Sequence, residues 1–286
     1  LNRPLTDGEF RDFQRLIHGE AGIWLSPAKK ALLTGRLASR LRDLELDSYG
    51  AYFRHVTKVD PGEQVRMLDC IATNETRFFR EPRQFEFLER EVLPAWSALA
   101  AAGQRPRRIR AWSAACSTGE EPYSLAMTLL AHCPPSAGWE IEIVATDLST
   151  KALEKAKAAV WPVDDAQELP ASYLKRFMLR GIRTQQGTMK AGPEIRSVVR
   201  FQRMNLNHDH YPVQGSFDLL FCRNVLIYFD PAGKERVLAR LGERLAPRGY
   251  LFLGHAESLN HAAGWVGVRP NVYEAGARPA APGRRA

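Results

Sequence analysis

The chain has 286 residues, enough for one large or two modest domains with real cores, and its 45% hydrophobic and 25% charged residues are ordinary for a soluble globular protein. A formal net charge of +8 favours acidic partners, whether nucleic acid, an anionic membrane face or an acidic protein surface, without choosing among them. No apolar run is long enough to span a bilayer, no basic-then-apolar leader occurs, and Cys70, Cys116, Cys133 and Cys222 have neither C-x-x-C nor zinc-ligand spacing, so reduced thiols in a cytoplasmic protein are expected.

In chain order, residues 1–96 read as a helical domain, beginning at Leu1 rather than Met, which reads as a trimmed start. Thr6-Asp7-Gly8-Glu9 is a capping-box pattern, followed by Phe10, Phe13, Leu16 and Ile17 at helical spacing. Ser26-Pro27 opens a second helix with Leu33, Leu37, Leu41 and Leu44 on one face. Lys29, Lys30, Arg36, Arg40 and Arg42 lie off that stripe, as a solvated face or as a surface for an acidic partner. No exposed aromatics interleave with them, which argues against single-stranded nucleic acid. Two short helices are expected over 48–56 and 62–72 and a longer one over 81–96, with an Ala, Gly, Arg and Pro-rich linker at 97–108.

From residue 109 the pattern alternates strands and helices, predicting a mostly parallel α/β sheet covered on both faces. Strands are expected at 109–114, 141–147, 198–204, 217–222 and 250–254, helices at 150–159 and 231–245, and a closing antiparallel hairpin from 266–268 and 271–274. The polar, Gly-punctuated stretch around 180–190 reads as a small antiparallel insertion, set at about 175–200, and the tail 276–286 as disordered.

The richest stretch is Trp112 to Ser124: strand end, small-residue turn and helix start in one run. Ser113 to Gly119 are all small, so the backbone turns tightly against a ligand, as at the first strand of a nucleotide-binding sheet. Glu120 and Glu121 stand where a pyrophosphate would need N–H donors and no anion. The expected ligand is a nucleoside bearing positive charge, a description that S-adenosylmethionine fits, with Glu120 facing its ammonium or merely favoured by the helix dipole.

Asp147 ends the second strand, where it serves as ribose acceptor or as helix cap. Asn74, Thr76 and Arg80 precede the 81–96 helix, as a cap region or, for Arg80, as part of a ligand site between domains. Asn224 and Tyr228 follow the strand end at Cys222, facing a ligand crevice, with a core aromatic as the alternative for Tyr228. His208-Asp209-His210 has no further ligand at metal spacing and reads as a polar loop, so no metal is expected.

Taken together, Thr73-Asn74-Glu75-Thr76-Arg77-Phe78-Phe79-Arg80-Glu81, Ala114 to Ser124, Ala145-Thr146-Asp147, Phe221 to Asp230 and Gly254-His255-Ala256-Glu257-Ser258 resemble the CheR-type chemotaxis receptor methyltransferases. The resemblance implies an all-helical receptor-recognition domain followed by a Rossmann-like S-adenosylmethionine-dependent sheet domain at 109–275. It implies methylation of glutamate side chains on the cytoplasmic helical bundle of a chemoreceptor. It assigns cofactor contacts to Asn74, Thr76, Arg80, Glu120, Asp147, Asn205, Leu206, Arg223 and Asn224, and a catalytic pair to Arg80 and Tyr228. Acceptor docking is expected on Lys29, Arg36 and Arg40, and the β insertion matches the part that lets some members dock on a receptor's C-terminal tail peptide. A nucleic-acid methyltransferase and a non-catalytic regulatory module that binds S-adenosylmethionine are the competing readings; no nucleic-acid partner and no membrane insertion are expected.

Overall fold

The computed structural model describes residues 4–259 and 264–275; the expected disordered tail at 276–286 lies outside them. Helix α1 (Asp7–Ala21) starts at the predicted capping box: Thr6 Oγ1 accepts from the Glu9 N–H at 3.2 Å, and the Glu9 carboxylate accepts from the Thr6 N–H at 2.9 Å. A single turn at Pro27–Lys29 leads into α2 (Lys30–Asp43). Helices α3 (Tyr49–Arg54) and α4 (Pro61–Ile71) complete the bundle, and its core is Phe13, Ile17, Leu37, Leu41, Tyr52 and Met67 with their neighbours.

One charge belongs to this core rather than to the surface. Glu63 is fully buried on α4, and Arg40 of α2 grips it with two bonds, Nε to Oε1 at 2.7 Å and Nη2 to Oε2 at 2.8 Å, while the Tyr52 hydroxyl donates to Oε1 at 3.0 Å. Burial pushes the Glu63 carboxyl up, but the bonds from Arg40, Tyr52 and Arg66 outweigh it and leave the group below its ordinary value. Arg40, expected as a docking cation, is instead committed inward, a correction that the hydrophobic stripe of α2 does not reveal. Arg40→Ala is therefore expected to destabilise the fold by about 3 kcal/mol, since it strands a buried carboxylate. Denaturant unfolding reads the loss, and cofactor affinity should stay unchanged.

The chain then runs without helix or strand over 73–77, turns at 78–81 and forms α5 (Pro82–Phe87) and α6 (Leu93–Ala101), joined by a wide helical turn at Leu88–Val92. Phe85, Leu88, Val92 and Trp96 pack into the same core as the sheet residues Ile109, Phe221 and Phe252. The helix expected over 81–96 thus belongs to the sheet domain, not to the N-terminal bundle, and it consumes part of the expected linker by running to Ala101. Its sequence is apolar enough for either assignment, so only packing decides.

The sheet domain contains β1 (Arg108–Ala114), α7 (Glu120–His132), β2 (Glu140–Asp147), α8 (Thr150–Ala158), β3 (Val160–Pro162), α9 (Ala171–Phe177), β4 (Met178–Arg180), β5 (Thr188–Ala191), α10 (Pro193–Ser197), β6 (Val199–Arg203), β7 (Phe217–Cys222), α11 (Pro231–Arg244), β8 (Leu245–Leu253), β9 (Trp265–Arg269) and β10 (Val272–Ala275). The large sheet has the order β6-β2-β1-β7-β8-β10-β9, parallel except for β10, which runs antiparallel to both β8 and β9. Strands β2 and β6 lie on one side of β1, and β7 and β8 on the other. The direction of winding reverses at β1 and β7, and their carboxyl ends open the crevice where such sheets hold ligands. The small antiparallel sheet, in the order β3-β5-β4, begins earlier than expected because Val160–Pro162 pairs with β5. A three-residue strand containing Pro162 carries no alternation to read.

The two domains are tied at the crevice. Asn205 Nδ2 donates to the Glu20 carbonyl at 2.7 Å, and Trp24 N–H to the Tyr228 carbonyl at 2.8 Å. His18 Nε2 meets Asp230 at 2.9 Å, and Asp69 of α4 accepts from the Thr150 N–H at 2.7 Å, capping α8 from across the boundary. No helix among the described residues is long and apolar enough to cross a membrane.

Candidate functional site

A cleft partly open to solvent lies where the carboxyl ends of β1, β2, β6 and β7 meet the end of α1. Backbone in the left-handed region occurs in its wall at Ala115 (φ 67°), Ser117 (φ 51°) and Asn224 (φ 57°), and on either side of the wall residue Arg80 at Phe79 (φ 49°) and Glu81 (φ 61°). Such strain persists only where surrounding bonds fix it, and it gathers at functional sites. The turn after β1 ends at Gly119 (φ 101°), whose missing side chain makes room for Ala156: a Cβ there would sit 3.0 Å from the Ala156 methyl.

Asn74, Thr76, Arg80, Asp147, Asn205, Leu206, Arg223, Asn224 and Tyr228 all line this one cleft. They come from the extended segment before α5 and from the ends of β2, β6 and β7, so long-range topology gathers them. Glu120 is absent from the wall. Its carboxylate turns aside to accept from Thr118 Oγ1 at 2.8 Å and from the Trp161 side chain, and burial raises it above its ordinary value. Glu121 takes the place expected for Glu120. It accepts from Ser113 Oγ at 2.7 Å, and its Oε2 lies 3.4 Å from Arg223 Nη1. Burial pushes its carboxyl up against the pull of the Arg223 charge. The sequence offers both glutamates because α7 is buried almost all round, from Glu120 through Leu130, and so shows no apolar phase that tells inside from outside.

Asp147 stands at the end of β2, one oxygen accepting from the Ser117 N–H and the other from the Ser149 N–H, each at 2.8 Å. Burial raises its carboxyl, opposed by the N–H groups of Ser149, Ser117 and Leu148. An ionised carboxylate accepts about four hydrogen bonds, so capacity for a ribose hydroxyl remains. Arg223 is buried between Glu121 and Glu81, 3.6 Å from the latter; its Nη2 donates to the Arg80 carbonyl, and its Nε is buried without a hydrogen-bond partner. Glu81, unremarked in the sequence, also accepts from the His255 N–H at 3.0 Å.

A smaller groove adjoins the cleft and shares Ile23, Ile71, Thr73 and Tyr228 with it; Lys29, Leu32, Leu33 and Arg36 also line it. Lys29 Nζ lies 5.8 Å from the centre of the Tyr228 ring, within cation–π range. Arg36 donates to the Ile71 carbonyl and, at 2.9 Å, to Thr73 Oγ1. Of the three expected docking cations, these two border the groove and Arg40 does not. The His208-Asp209-His210 run is a loop in which Asp209 pairs with Arg240; no cluster of three or more metal-ligating side chains occurs among the described residues.

The donor set fits S-adenosylmethionine. The buried Asp147 and the partly buried Glu121 carboxylates suit a ribose and an ammonium, and Arg223 retains donor capacity at the same wall. Both carboxylates must be ionised to serve, and both have raised pKa values. Protonation, and with it loss of affinity, should therefore begin at higher pH than the ordinary carboxylate range near 4. Calorimetry is expected to give constant cofactor affinity above neutral pH and weakening on mild acidification. Affinity level down to about pH 4.5 would contradict this assignment.

Residues 8–72 match the family described as CheR methyltransferase, all-alpha domain, and residues 74–272 match CheR methyltransferase, SAM binding domain. The chain is 38% identical over 274 residues to chemotaxis protein methyltransferase 2 of Pseudomonas aeruginosa, covering 94% of this chain and 93% of that protein. It is 37% identical over 265 residues to the chemotaxis protein methyltransferase of Escherichia coli, covering 90% and 86%. A relative from Vibrio cholerae, also named chemotaxis protein methyltransferase 2, is 37% identical over 261 residues, covering 90% and 87%. With both family domains matched in order across the bundle and the sheet, the chain belongs to the CheR methyltransferase family.

Proposed function

We propose that the protein methylates glutamate carboxylates on the cytoplasmic helical bundle of a chemoreceptor, using S-adenosylmethionine and acting in the cytoplasm. The observation that carries this reading is the single cleft in which Asp147, Glu121, Arg80 and Tyr228 meet, with a basic groove leading to Tyr228. Asp147 holds the ribose and Glu121 the ammonium, while Arg223 and Arg80 face the carboxylate end of the methionyl group. Bound there, S-adenosylmethionine supplies a methyl group made electrophilic by its sulfonium.

The acceptor glutamate needs no general base, since its ordinary pKa near 4.3 leaves it ionised at neutral pH. Its obstacle is hydration. The apolar wall of Ile23, Leu33 and Ile71 strips water from the incoming carboxylate. Arg80 pairs with one oxygen and the Tyr228 hydroxyl donates to it, which fixes the direction in which the other oxygen points. Alignment of this kind can supply much of a rate enhancement.

Lys29 and Arg36 meet the acidic receptor surface, so encounter is salt-sensitive. The small β3-β5-β4 sheet, with Leu179 and Ile182 exposed on and beside its edge strand β4, suits an added strand from a receptor tail peptide. Methyl transfer to a receptor cytoplasmic fragment at rising salt tests the reading. Transfer to protein should fall with salt, and an oligonucleotide should not compete. Competition by the oligonucleotide would move the acceptor to nucleic acid.

A further inference from the structure

We infer that Glu257 is a positioning residue for methyl transfer, holding Tyr228 at the reacting centre without touching cofactor or acceptor. This rests on the reading of Tyr228 given above. The loop after β7 presents Arg223, Asn224 and Tyr228 to the cleft. Glu257, which follows β8, gathers its backbone N–H groups. Oε2 accepts from the Asn224 N–H at 2.9 Å and from the Gly254 N–H at 2.8 Å, and Oε1 accepts from the Ile227 N–H at 3.3 Å. One carboxylate thus joins two loops, and one of its bonds ends on the residue directly before Tyr228.

Three further observations point to a tuned device. Glu257 is only 6% exposed, and among the described residues its carboxylate oxygens accept from the backbone N–H groups of Asn224, Gly254 and Ile227 and form no ion pair. It is anchored at its own backbone: its N–H donates to the Gly254 carbonyl at 2.8 Å, and its carbonyl accepts from Asn271 Nδ2. The approach is close enough to require glycine at 254, where a Cβ would lie 2.5 Å from Asn224 Nδ2 and 2.9 Å from Glu257 Oε2. The left-handed Asn224 and the single turn Leu226–Tyr228 are thereby fixed by a residue that does not itself line the cleft. Hydrogen bonds from N–H groups to a carboxylate are stronger than neutral ones, and an uncharged substitute weakens the clamp without removing its bulk.

Glu257→Gln keeps the volume but turns one acceptor oxygen into an amide that opposes the N–H donors. Methylation kinetics on a receptor fragment and cofactor calorimetry are compared for wild type, Glu257→Gln, Tyr228→Phe and the double variant. Glu257→Gln should lower kcat about tenfold in the wild-type background and less than about twofold in the Tyr228→Phe background, with cofactor Kd within about threefold throughout, as expected for residues acting as one unit. An equal loss in both backgrounds, while Tyr228→Phe is itself slow, would overturn this inference alone. A weakened cofactor Kd with unchanged kcat would also overturn it, assigning Glu257 to Asn224 instead. Full activity of Tyr228→Phe would remove the catalytic reading of Tyr228, and this inference with it. If Glu257→Gln fails to fold, Asn271→Gly, which frees the Glu257 backbone and suits the left-handed Asn271 (φ 60°), should show the same background dependence at smaller size.

Discussion

Tyr228→Phe is expected to lower kcat for receptor methylation by roughly 10²-fold, with cofactor affinity nearly unchanged. The magnitude is that of removing one preorganised donor from a water-poor site. The split between kcat and binding follows from geometry. Tyr228 stands on the boundary between the cofactor cleft and the basic groove, its backbone carbonyl held by the Trp24 N–H and its ring beside Lys29. Phenylalanine preserves the ring and its packing and deletes only the hydroxyl, the group proposed to orient the acceptor. Arg80→Ala should reduce turnover at least as much, but it should also weaken cofactor binding, because Arg80 lines the cleft proposed to hold the cofactor. Single-turnover rates with calorimetric Kd values separate the two. Unchanged turnover in both variants would remove the proposed catalytic pair.

The second large effect discriminates between adjacent glutamates. Glu121→Gln should weaken S-adenosylmethionine binding by roughly 10- to 100-fold, the range of a lost charge-assisted hydrogen bond. Glu120→Gln should change it less than about threefold. Glu121 lines the cleft and meets Ser113 and Arg223, whereas Glu120 is turned toward Thr118 and Trp161. Thermal unfolding of both variants checks that neither result reflects loss of fold. A larger effect for Glu120→Gln would reverse the assignment and restore the expectation drawn from the sequence.

That pair marks where legibility ended. The helical start, the parallel sheet and the ligand turn were readable because caps, apolar stripes and small-residue turns are local signals. Thr6 to Glu9 caps α1, Leu33, Leu37 and Leu41 are buried on α2 with Leu44 just past its end, and Ala115 to Ser117 of the turn after β1 line the cleft. Asp147, Asn224 and Tyr228 were readable from their places at strand ends, since an open sheet gathers such ends at one crevice. Glu121 rather than Glu120 lines the cleft, a distinction hidden in the sequence because orientation on an almost wholly buried helix has no periodic signature. Arg40 was misplaced because its partner Glu63 lies 23 residues away on another helix. Glu81 and Glu257 gave no signal of their roles. Each acts through backbone N–H groups or charges brought near by the fold, and neither spacing nor composition encodes such a meeting. The helix after Glu81 was assigned to the wrong domain for the same reason, since its apolar face met the sheet and not the bundle.

The measurement that tests the central claim most directly uses S-adenosylmethionine labelled in its methyl group, with a chemoreceptor cytoplasmic fragment as acceptor. Label should pass to the fragment and be released as methanol by mild alkali, the signature of a carboxyl methyl ester. Label that reaches the receptor but resists alkali would contradict carboxyl methylation, and failure to bind the cofactor would contradict the reading of the cleft itself.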